Sequence, residues 1–436
     1  MKPRNTKKTA TGGRTAGQPM RIGFIPLSDC APLIVAKEKG FFQRHDLDIS
    51  LIKEPSWANL RDKVALGALD AAHMLAPMPL AATLGAGGWK KPQVTACVLA
   101  LNGNAITVSL SLWNRLLELE PGLVHTRQEA ANVLRRLIAA DRKAGRTILT
   151  FATVFNFSSH QLQLRYWLAS AGIDPDHDVN LVVVPPPQMV ERLEAGEIDG
   201  LCVGEPWNSL AVLRGAGRVL ISGYEIWNNR LEKVVGVNRD WAESNPLTHK
   251  SMVMALIEAS EWLDRPENRL EGIQLMARPE YIGPEATEAL RMGMLGVLRY
   301  GRDTDPEHLP DFHVFSRYAA NFPWRSQAEW YLSEMQRWQL IAGDVDIAAT
   351  ADAVYRTDLY REAAAALDRP FPLIDRKPEG LHAGPWLLAQ ASAPITMGAD
   401  LFFDGSYVSS ARPLSASARW GNAAGNIALR RPSANR

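Results

Sequence analysis

The chain has 436 residues, of which 46% are hydrophobic and 22% charged, with 13 tryptophans; this is the composition of a folded protein of two or three domains and not of a disordered one. No apolar run approaches the roughly 18 to 20 residues of a membrane-spanning helix, and Cys30, Cys97 and Cys202 lack the spacing of a disulfide framework or a zinc site. The net charge of +1 is unevenly spread: residues 1–20 and 409–436 each carry five basic residues and no acid, which leaves 38 basic against 47 acidic residues, or −9, on the body between them. An acidic body argues against a nucleic-acid reader, which needs its positive stripe on the folded surface.

Residues 1–20 are polar throughout and contain no apolar stretch of export-signal type. They read as a disordered, basic, cytoplasmic extension, and 409–436 as a second disordered basic tail.

From Met20 the pattern is strand, helix, strand. Arg21 to Leu27 is a short apolar run, Ala31 to Gly40 has helical composition, and Leu47 to Lys53 alternates apolar with polar residues. Ser56 is placed to cap a helix from Trp57 to about Leu66, stopped by Gly67, with strands at Leu69–Leu75 and Val94–Leu101. Together these predict an α/β lobe with a parallel sheet.

A connecting stretch leads to a second alternating unit. Helices are expected at Arg127–Lys143, Ser159–Ala171 and Gln188–Ala195, and strands at Thr147–Phe151, Val179–Val184 and Gly200–Val203. After Val237 the strand signal fades, and Trp241–Leu263, Glu267–Ala277, Pro284–Leu298 and Ser326–Leu340 read as helices of an extension returning to the first lobe. Beyond Ala383, rising Gly, Ala and Ser content predicts a loss of order. The expected domains are therefore residues 21–105 plus 238–380 for lobe 1 and residues 106–237 for lobe 2, with a cleft between them of the kind that favours ligands and closes by hinge motion.

The phosphate-loop, zinc-protease, nucleophile-elbow and dinucleotide-binding signatures are all missing. The nine histidines are scattered, and His73, within the apolar run LDAAHML, reads as a satisfied core histidine. Four segments suit a small anion. Ser56-Trp57-Ala58-Asn59 opens a helix whose N–H groups can face the cleft, although a plain cap with a packed tryptophan accounts for it equally well. Ser158-Ser159-His160-Gln161 has capping-box form and puts His160 in the first turn, where an exposed histidine without a partner is the competing reading. Cys202-Val203-Gly204-Glu205-Pro206-Trp207 ends a strand and starts a helix, with Pro206 suited to the first helical position, and Gly204 permits close approach to the backbone. Glu232-Lys233-Val234-Val235 enters an apolar run in which a lysine can meet a buried anion, ordinary solvation being the alternative.

At these same segments the sequence resembles the nitrate-binding members of the ABC-transporter solute-binding proteins. The strings that carry the resemblance are IGFIPLSDCAPLIVAKEKGFF (22–42), SWANLRDKVALGALDAAHMLAPMPLA (56–81), LNGNAI (101–106), LRYWLASAGIDP (164–175), PPPQM (185–189) and CVGEPWN (202–208). It implies an α/β, two-lobed type II periplasmic-binding-protein-like fold with an interlobe cleft and a helical C-terminal extension. It also implies an oxyanion site at Trp57, Asn104, His160, Gly204 and Lys233, with no metal, no cofactor and no catalytic residue. Bicarbonate-binding relatives carry an acidic residue in place of Lys233 and use calcium, so lysine here points to nitrate or nitrite.

The polar start resembles the cytoplasmic branch, the NasS-like nitrate/nitrite sensors. That resemblance implies a partner, an ANTAR-type RNA-binding antitermination regulator of nitrate assimilation, held inactive without ligand and released on binding. The alternative is a solute-binding subunit working with an ABC permease and ATPase. A third, an enzyme like the pyrimidine synthases of thiamine biosynthesis, lacks its cysteine-rich motif in this sequence.

Overall fold

A computed structural model of the protein describes residues 19–124 and 127–408; the expected basic tails thus lie outside the described residues, apart from Pro19 and Met20. The first lobe opens with strands β1 (Met20–Phe24), β2 (Ile49–Lys53), β3 (Ala71–Leu75) and β4 (Gln93–Asn102). The chain then crosses over as β5 (Asn104–Ser109) and builds β6 (Thr150–Thr153), β7 (Asn180–Val183), β8 (Gly200–Gly204) and β9 (Gly217–Ser222). It returns as β10 (Leu231–Asn238), and the later part adds the short pair β11 (Val297–Leu298) and β12 (Glu307–His308), β13 (His313–Val314), and the hairpin β14 (Trp386–Leu388) and β15 (Ile395–Met397).

Two sheets result, in the order β13-β4-β10-β3-β1-β2 and β7-β6-β8-β5-β9. Both are mixed, which corrects the expectation of a parallel sheet. In the first, β1 runs parallel to β2 and β3, but β10 is inserted antiparallel between β3 and β4. In the second, β6 runs parallel to β7 and β8, while β5 is antiparallel to β8 and β9. In each sheet the strand by which the chain enters from the other sheet is antiparallel to its neighbours, and β13 adds a second antiparallel strand at the edge of the first sheet. Sequence periodicity reports only that a segment is extended and half or wholly buried, so strand direction was not available from it.

The outward crossing takes a single residue between strands, Gly103. Asn102 and Gly103 both have left-handed backbone (φ 59° and 75°), and a Cβ on Gly103 would lie 3.0 Å from the His313 ring, so glycine is required on both counts. Because β5 starts two residues after β4, the pair reads in sequence as one strand and an unassigned stretch; β9 was likewise not expected.

Pro246 breaks the expected helix Trp241–Leu263 into Arg239–Ser244 and Pro246–Asp264, as a residue with no N–H and a locked φ does best at a helix start. The helix Arg325–Arg337 lies where expected, and Ile347–Val354 and Thr357–Ala366 follow it. Beyond Ala383 the strands β14 and β15 pair, and Leu388, residues 397–400, Phe402 and Val408 are buried, against the expected loss of order. Phe402 stacks on Trp227 at 4.4 Å and meets Tyr166 edge-on at 6.0 Å, and aromatic pairs of this kind add about 0.5–1.5 kcal/mol each beyond area burial. These few large rings offset the small residues around them, which a composition average does not register. Buried residues of both sheets join one large core, with a smaller separate cluster of Ala105, Val212, Val219, Leu298, Tyr300 and Phe312. Among the described residues no helix is long and apolar enough to cross a membrane.

Candidate functional site

The two crossings and the C-terminal end of β8 meet between the sheets, and the five residues singled out in the sequence lie there. Trp57 is the first residue of the helix Trp57–Ala65, fixed by the Ser56 hydroxyl accepting the Asn59 N–H at 3.2 Å. Asn104 begins β5 and Gly204 ends β8, paired across the register. His160 is in the first turn of the helix Ser159–Ser170, where the Ser158 hydroxyl accepts the Gln161 N–H at 2.9 Å. The expected capping box is only half formed, because the Gln161 side chain accepts the Thr153 hydroxyl. Pro206 precedes the helix Trp207–Arg214 as its cap and does not occupy the first turn.

Glu232 and Lys233 are neighbours on β10, where side chains ordinarily alternate between faces. Register shifts on either side of Lys233 against β4 interrupt that alternation, and a bulge of this kind re-aims side chains. Both reach the same cluster. The Lys233 Nζ lies 2.7 Å from Asp29 Oδ2 and 2.9 Å from Glu232 Oε1, and 5.8 Å from the Trp57 ring centre. Glu232 accepts the Ser159 hydroxyl at 2.6 Å, the Asn104 amide at 2.9 Å and Arg230 Nη1 at 2.5 Å. Arg230 also donates to Gln163 at 2.9 Å and to the Tyr331 hydroxyl at 3.1 Å, and that hydroxyl donates to the Leu231 carbonyl. Asp29, in turn, has His73 Nε2 at 2.9 Å.

Asp29, His73, Asn104, His160, Arg230, Glu232 and Lys233 are all at 0% exposure and Trp57 at 1%. Burying so much charge is tolerated only when it is paired, and the pairing sets the protonation states. Burial alone would raise the Asp29 and Glu232 carboxyls. Lys233 and His73 overturn this for Asp29, and Arg230 and Lys233 for Glu232, so both are held below the ordinary carboxylate range. Lys233 is raised, the pull of Asp29 and Glu232 exceeding the opposing effect of burial. His160 goes the other way: burial pushes it down to about 3, against the attraction of Glu232. The His73 Nδ1 accepts the Ile25 N–H at 3.4 Å, which leaves its Nε2 to carry the proton toward Asp29. His73 is buried like a core histidine, but the reading of it as satisfied does not hold, because its Nε2 faces the site carboxylate Asp29 at 2.9 Å without an aligned hydrogen bond.

Several atoms in the cluster have no hydrogen-bond partner: the Trp57 indole N–H, both ring nitrogens of His160, the Asn104 side-chain oxygen, both Asp29 carboxylate oxygens, His73 Nε2 and Arg230 Nε. His160 Nε2 is 3.2 Å from Glu232 Oε1 but is not aligned to bond it. A Cβ on Gly204 would lie 3.4 Å from Asp29 Oδ2 and 3.7 Å from His160 Nε2. Glycine therefore keeps the β8 backbone within reach of the space these groups share. Other buried donors, such as the Trp167 and Trp227 N–H groups, are also unpartnered, but here several unpartnered atoms converge beside a lysine in one small volume, where a ligand or water can complete the set. With one lysine, one indole N–H and one histidine in reach, the arrangement suits a small anion.

Sequence reasoning missed Asp29, Glu232, Arg230, Ser159, Gln163 and Tyr331. A signal existed for two of them, since Asp29 and Glu232 are carboxylates inside otherwise apolar runs, IGFIPLSDCAPLIVA and LEKVVGV, and a buried carboxylate implies a nearby cation.

Residues 14–277 match the model of the NMT1-like family. The chain is 44% identical over 351 residues to the nitrate import ATP-binding protein NrtC of Synechocystis sp., a match over 80% of this chain that spans half the length of NrtC. It is 34% identical over 390 residues to the nitrate/nitrite binding protein NrtA of Nostoc sp., covering 88% of this chain and 81% of NrtA. The crystal structure of the periplasmic nitrate-binding protein NrtA from Synechocystis superposes with a TM-score of 0.77 at 31% identity, over 89% of this chain and 94% of that one. The chain belongs to the NMT1-like family, and shares the periplasmic-binding-protein fold of its NrtA relatives.

Proposed function

We propose that the protein is the solute-binding component of a nitrate import system, that it holds nitrate or nitrite between its two sheets, and that it works with an ABC permease and ATPase. The observation that carries this reading is the set of unpartnered buried donors, the Trp57 indole N–H and the His160 ring, beside the Lys233 ammonium. A planar monovalent oxyanion supplies several acceptors in one small volume without needing a metal. The names of the NrtA relatives support the same ligand, and that of NrtC supports an ATPase as partner. Lys233 favours nitrate over bicarbonate, because bicarbonate-binding relatives are expected to place an acid there.

A second reading is regulatory: a cytoplasmic sensor whose ligand-bound form releases an ANTAR-type RNA-binding regulator. This reading rests on the resemblance of the sequence to the cytoplasmic nitrate/nitrite sensors. A binding module that reports to another component shifts that component's equilibrium by its differential affinity for the two states.

Calorimetric titration with nitrate, nitrite and bicarbonate, with and without calcium, tests the ligand. Micromolar nitrate or nitrite binding without calcium is expected. Bicarbonate binding only with calcium, or no binding of any of the three, would overturn the reading. Affinity purification from native cells with and without nitrate then separates the two roles: recovery of permease and ATPase subunits is expected, and ligand-reversible recovery of an RNA-binding regulator would favour the sensor.

A further inference from the structure

We propose that the site takes up its anion together with a proton, and that His160 receives that proton. This rests on the reading that an oxyanion binds at Lys233, and it follows from the charges that surround His160. Strand β10 contributes Arg230, Glu232 and Lys233, and the turn Ser28–Cys30 contributes Asp29. Strand β3 brings His73 against Asp29, β13 brings His313 against Ser28 with Nδ1 3.3 Å from the hydroxyl, β8 carries Cys202, and the helix Arg325–Arg337 carries Tyr331. All of these side chains are fully buried or within 2% of it. Burial keeps the thiol and the phenol protonated and the three histidines neutral. Two cations then face two carboxylates, and the cluster is neutral as a whole.

A monovalent anion added to this cluster leaves one uncompensated negative charge in a volume shielded from water, which is unfavourable unless a positive charge arrives with it. His160 is the group placed to supply it. His73 has its Nδ1 engaged by the Ile25 N–H, and its Nε2 faces Asp29 Oδ1 at 2.9 Å as an ion-pair contact without an aligned hydrogen bond. His313 sits beyond Ser28, packed on Phe315 at 4.5 Å. His160 alone of the three has neither nitrogen bonded, and it lies 3.2 Å from Glu232 and against Gly204. A second ring proton, taken from solvent, makes both nitrogens donors; Nε2, which faces both Glu232 Oε1 and the Gly204 backbone, can then donate into the space they share, and the added charge restores neutrality.

Nitrate carries no proton near neutral pH, which makes it the right probe. The purified full chain is titrated with sodium nitrate at several pH values between 5.5 and 8, in buffers of differing ionisation enthalpy, with circular dichroism to establish that the fold is intact at each pH. The expected result is a buffer-dependent heat that corresponds to uptake approaching one proton at the acidic end. Nitrate affinity should rise toward low pH, by up to tenfold per unit. In protein with labelled histidine, the His160 ring nitrogens should change from the neutral to the imidazolium signature when nitrate is added. His160→Gln should bind nitrate more weakly and with a flat pH profile. Nitrate binding with no buffer dependence and no pH slope would overturn this proposal while leaving the oxyanion site standing. An unchanged His160 signal alongside measured proton uptake would overturn the assignment to His160. The absence of nitrate binding at every pH would overturn both this inference and the function on which it rests.

Discussion

Among the described residues two lysine–glutamate pairs are buried, and they differ in a way that separates a binding site from a structural clamp. Lys377 and Glu379, in the C-terminal extension, lie 2.5 Å apart, and the Glu379 carboxylate also accepts the Ser326 hydroxyl at 2.8 Å and the Gln327 amide at 3.2 Å. No side-chain polar atom of these four residues is left unpartnered. Lys233 and Glu232 are as deeply buried and carry more charge around them, yet the Trp57 N–H, the His160 ring and the Asn104 oxygen beside them are unpartnered. Buried charge by itself is therefore no marker of a site in this molecule. The informative feature is a charged cluster whose hydrogen bonding is incomplete, because a partly satisfied network is costly unless something else completes it.

The carboxylates also differ in a way that shows the purpose of each cluster. Burial raises Glu379, and Lys377 only partly counters it, whereas Arg230 and Lys233 together hold Glu232 well below the ordinary range despite burial. The site keeps its carboxylates ionised and its cations committed, so a ligand anion must compete with Asp29 and Glu232 for Lys233. A monovalent ion can join that arrangement at lower cost than a divalent one, since the penalty for uncompensated buried charge grows with the charge brought in.

The largest expected effect breaks the comparison on the site side. Lys233→Ala leaves Asp29 and Glu232 facing one remaining cation, and should abolish measurable nitrate binding by calorimetry. It should also cost about 3–5 kcal/mol of stability in urea unfolding, the range for a buried pair that loses one partner. Wild-type affinity in this variant would remove Lys233 from the site.

The next effect is on pH. His73, His160, His249 and His313 are all held below the ordinary histidine value by burial, His160 and His313 at about 3 and His249 at about 4. The unfolded chain takes up these protons first, so the stability due to their neutral burial is full above about pH 6.5 and is lost as pH falls toward the folded values, at up to about 1.4 kcal/mol per histidine per pH unit. Stability should therefore fall from pH 6.5 to 5 as these losses exceed the opposing gain from Glu205, which burial raises to about 7 and which takes up its proton in the folded chain over the same range. Asp29 and Glu232 add a loss of the same sign at lower pH, below about 4, where the unfolded carboxylates protonate first. His249→Gln, outside the site, should reduce the slope without changing nitrate affinity at neutral pH. A stability flat between pH 6.5 and 5 would contradict these protonation states.

Lys377→Ala sharpens the comparison from the other side. With Glu379 free to take up a proton, the loss should be about 2 kcal/mol of stability, and nitrate affinity should not change. A drop in affinity would show that the extension acts on the site. The smallest effect is Trp57→Phe, which keeps the ring and removes the unpartnered N–H; about a tenfold loss of nitrate affinity with an unchanged Tm is expected, the value of one charge-assisted hydrogen bond. Unchanged affinity would leave Trp57 a packing residue.

Much of the fold was legible because its signals are local. The caps Ser56 and Ser158, the stop at Gly67 and the alternation of strands with helices depend on residues within a few positions of each other. So did the short strings around Trp57, His160, Gly204 and Lys233, which carried a resemblance specific enough to name a family. What the sequence could not supply was direction and pairing. That β10 runs antiparallel between β3 and β4, that β5 departs through the single residue Gly103 to pair with β8, and that Phe402 stacks on Trp227 all depend on partners about 90 to 175 positions away. The site divides in the same way. Its residue types were readable one at a time, but Asp29, Glu232, Arg230 and Lys233 become one neutral cluster only when two crossings bring them within hydrogen-bond distance. Charge balance in a buried volume is a property of that assembled volume, and no stretch of the chain contains it.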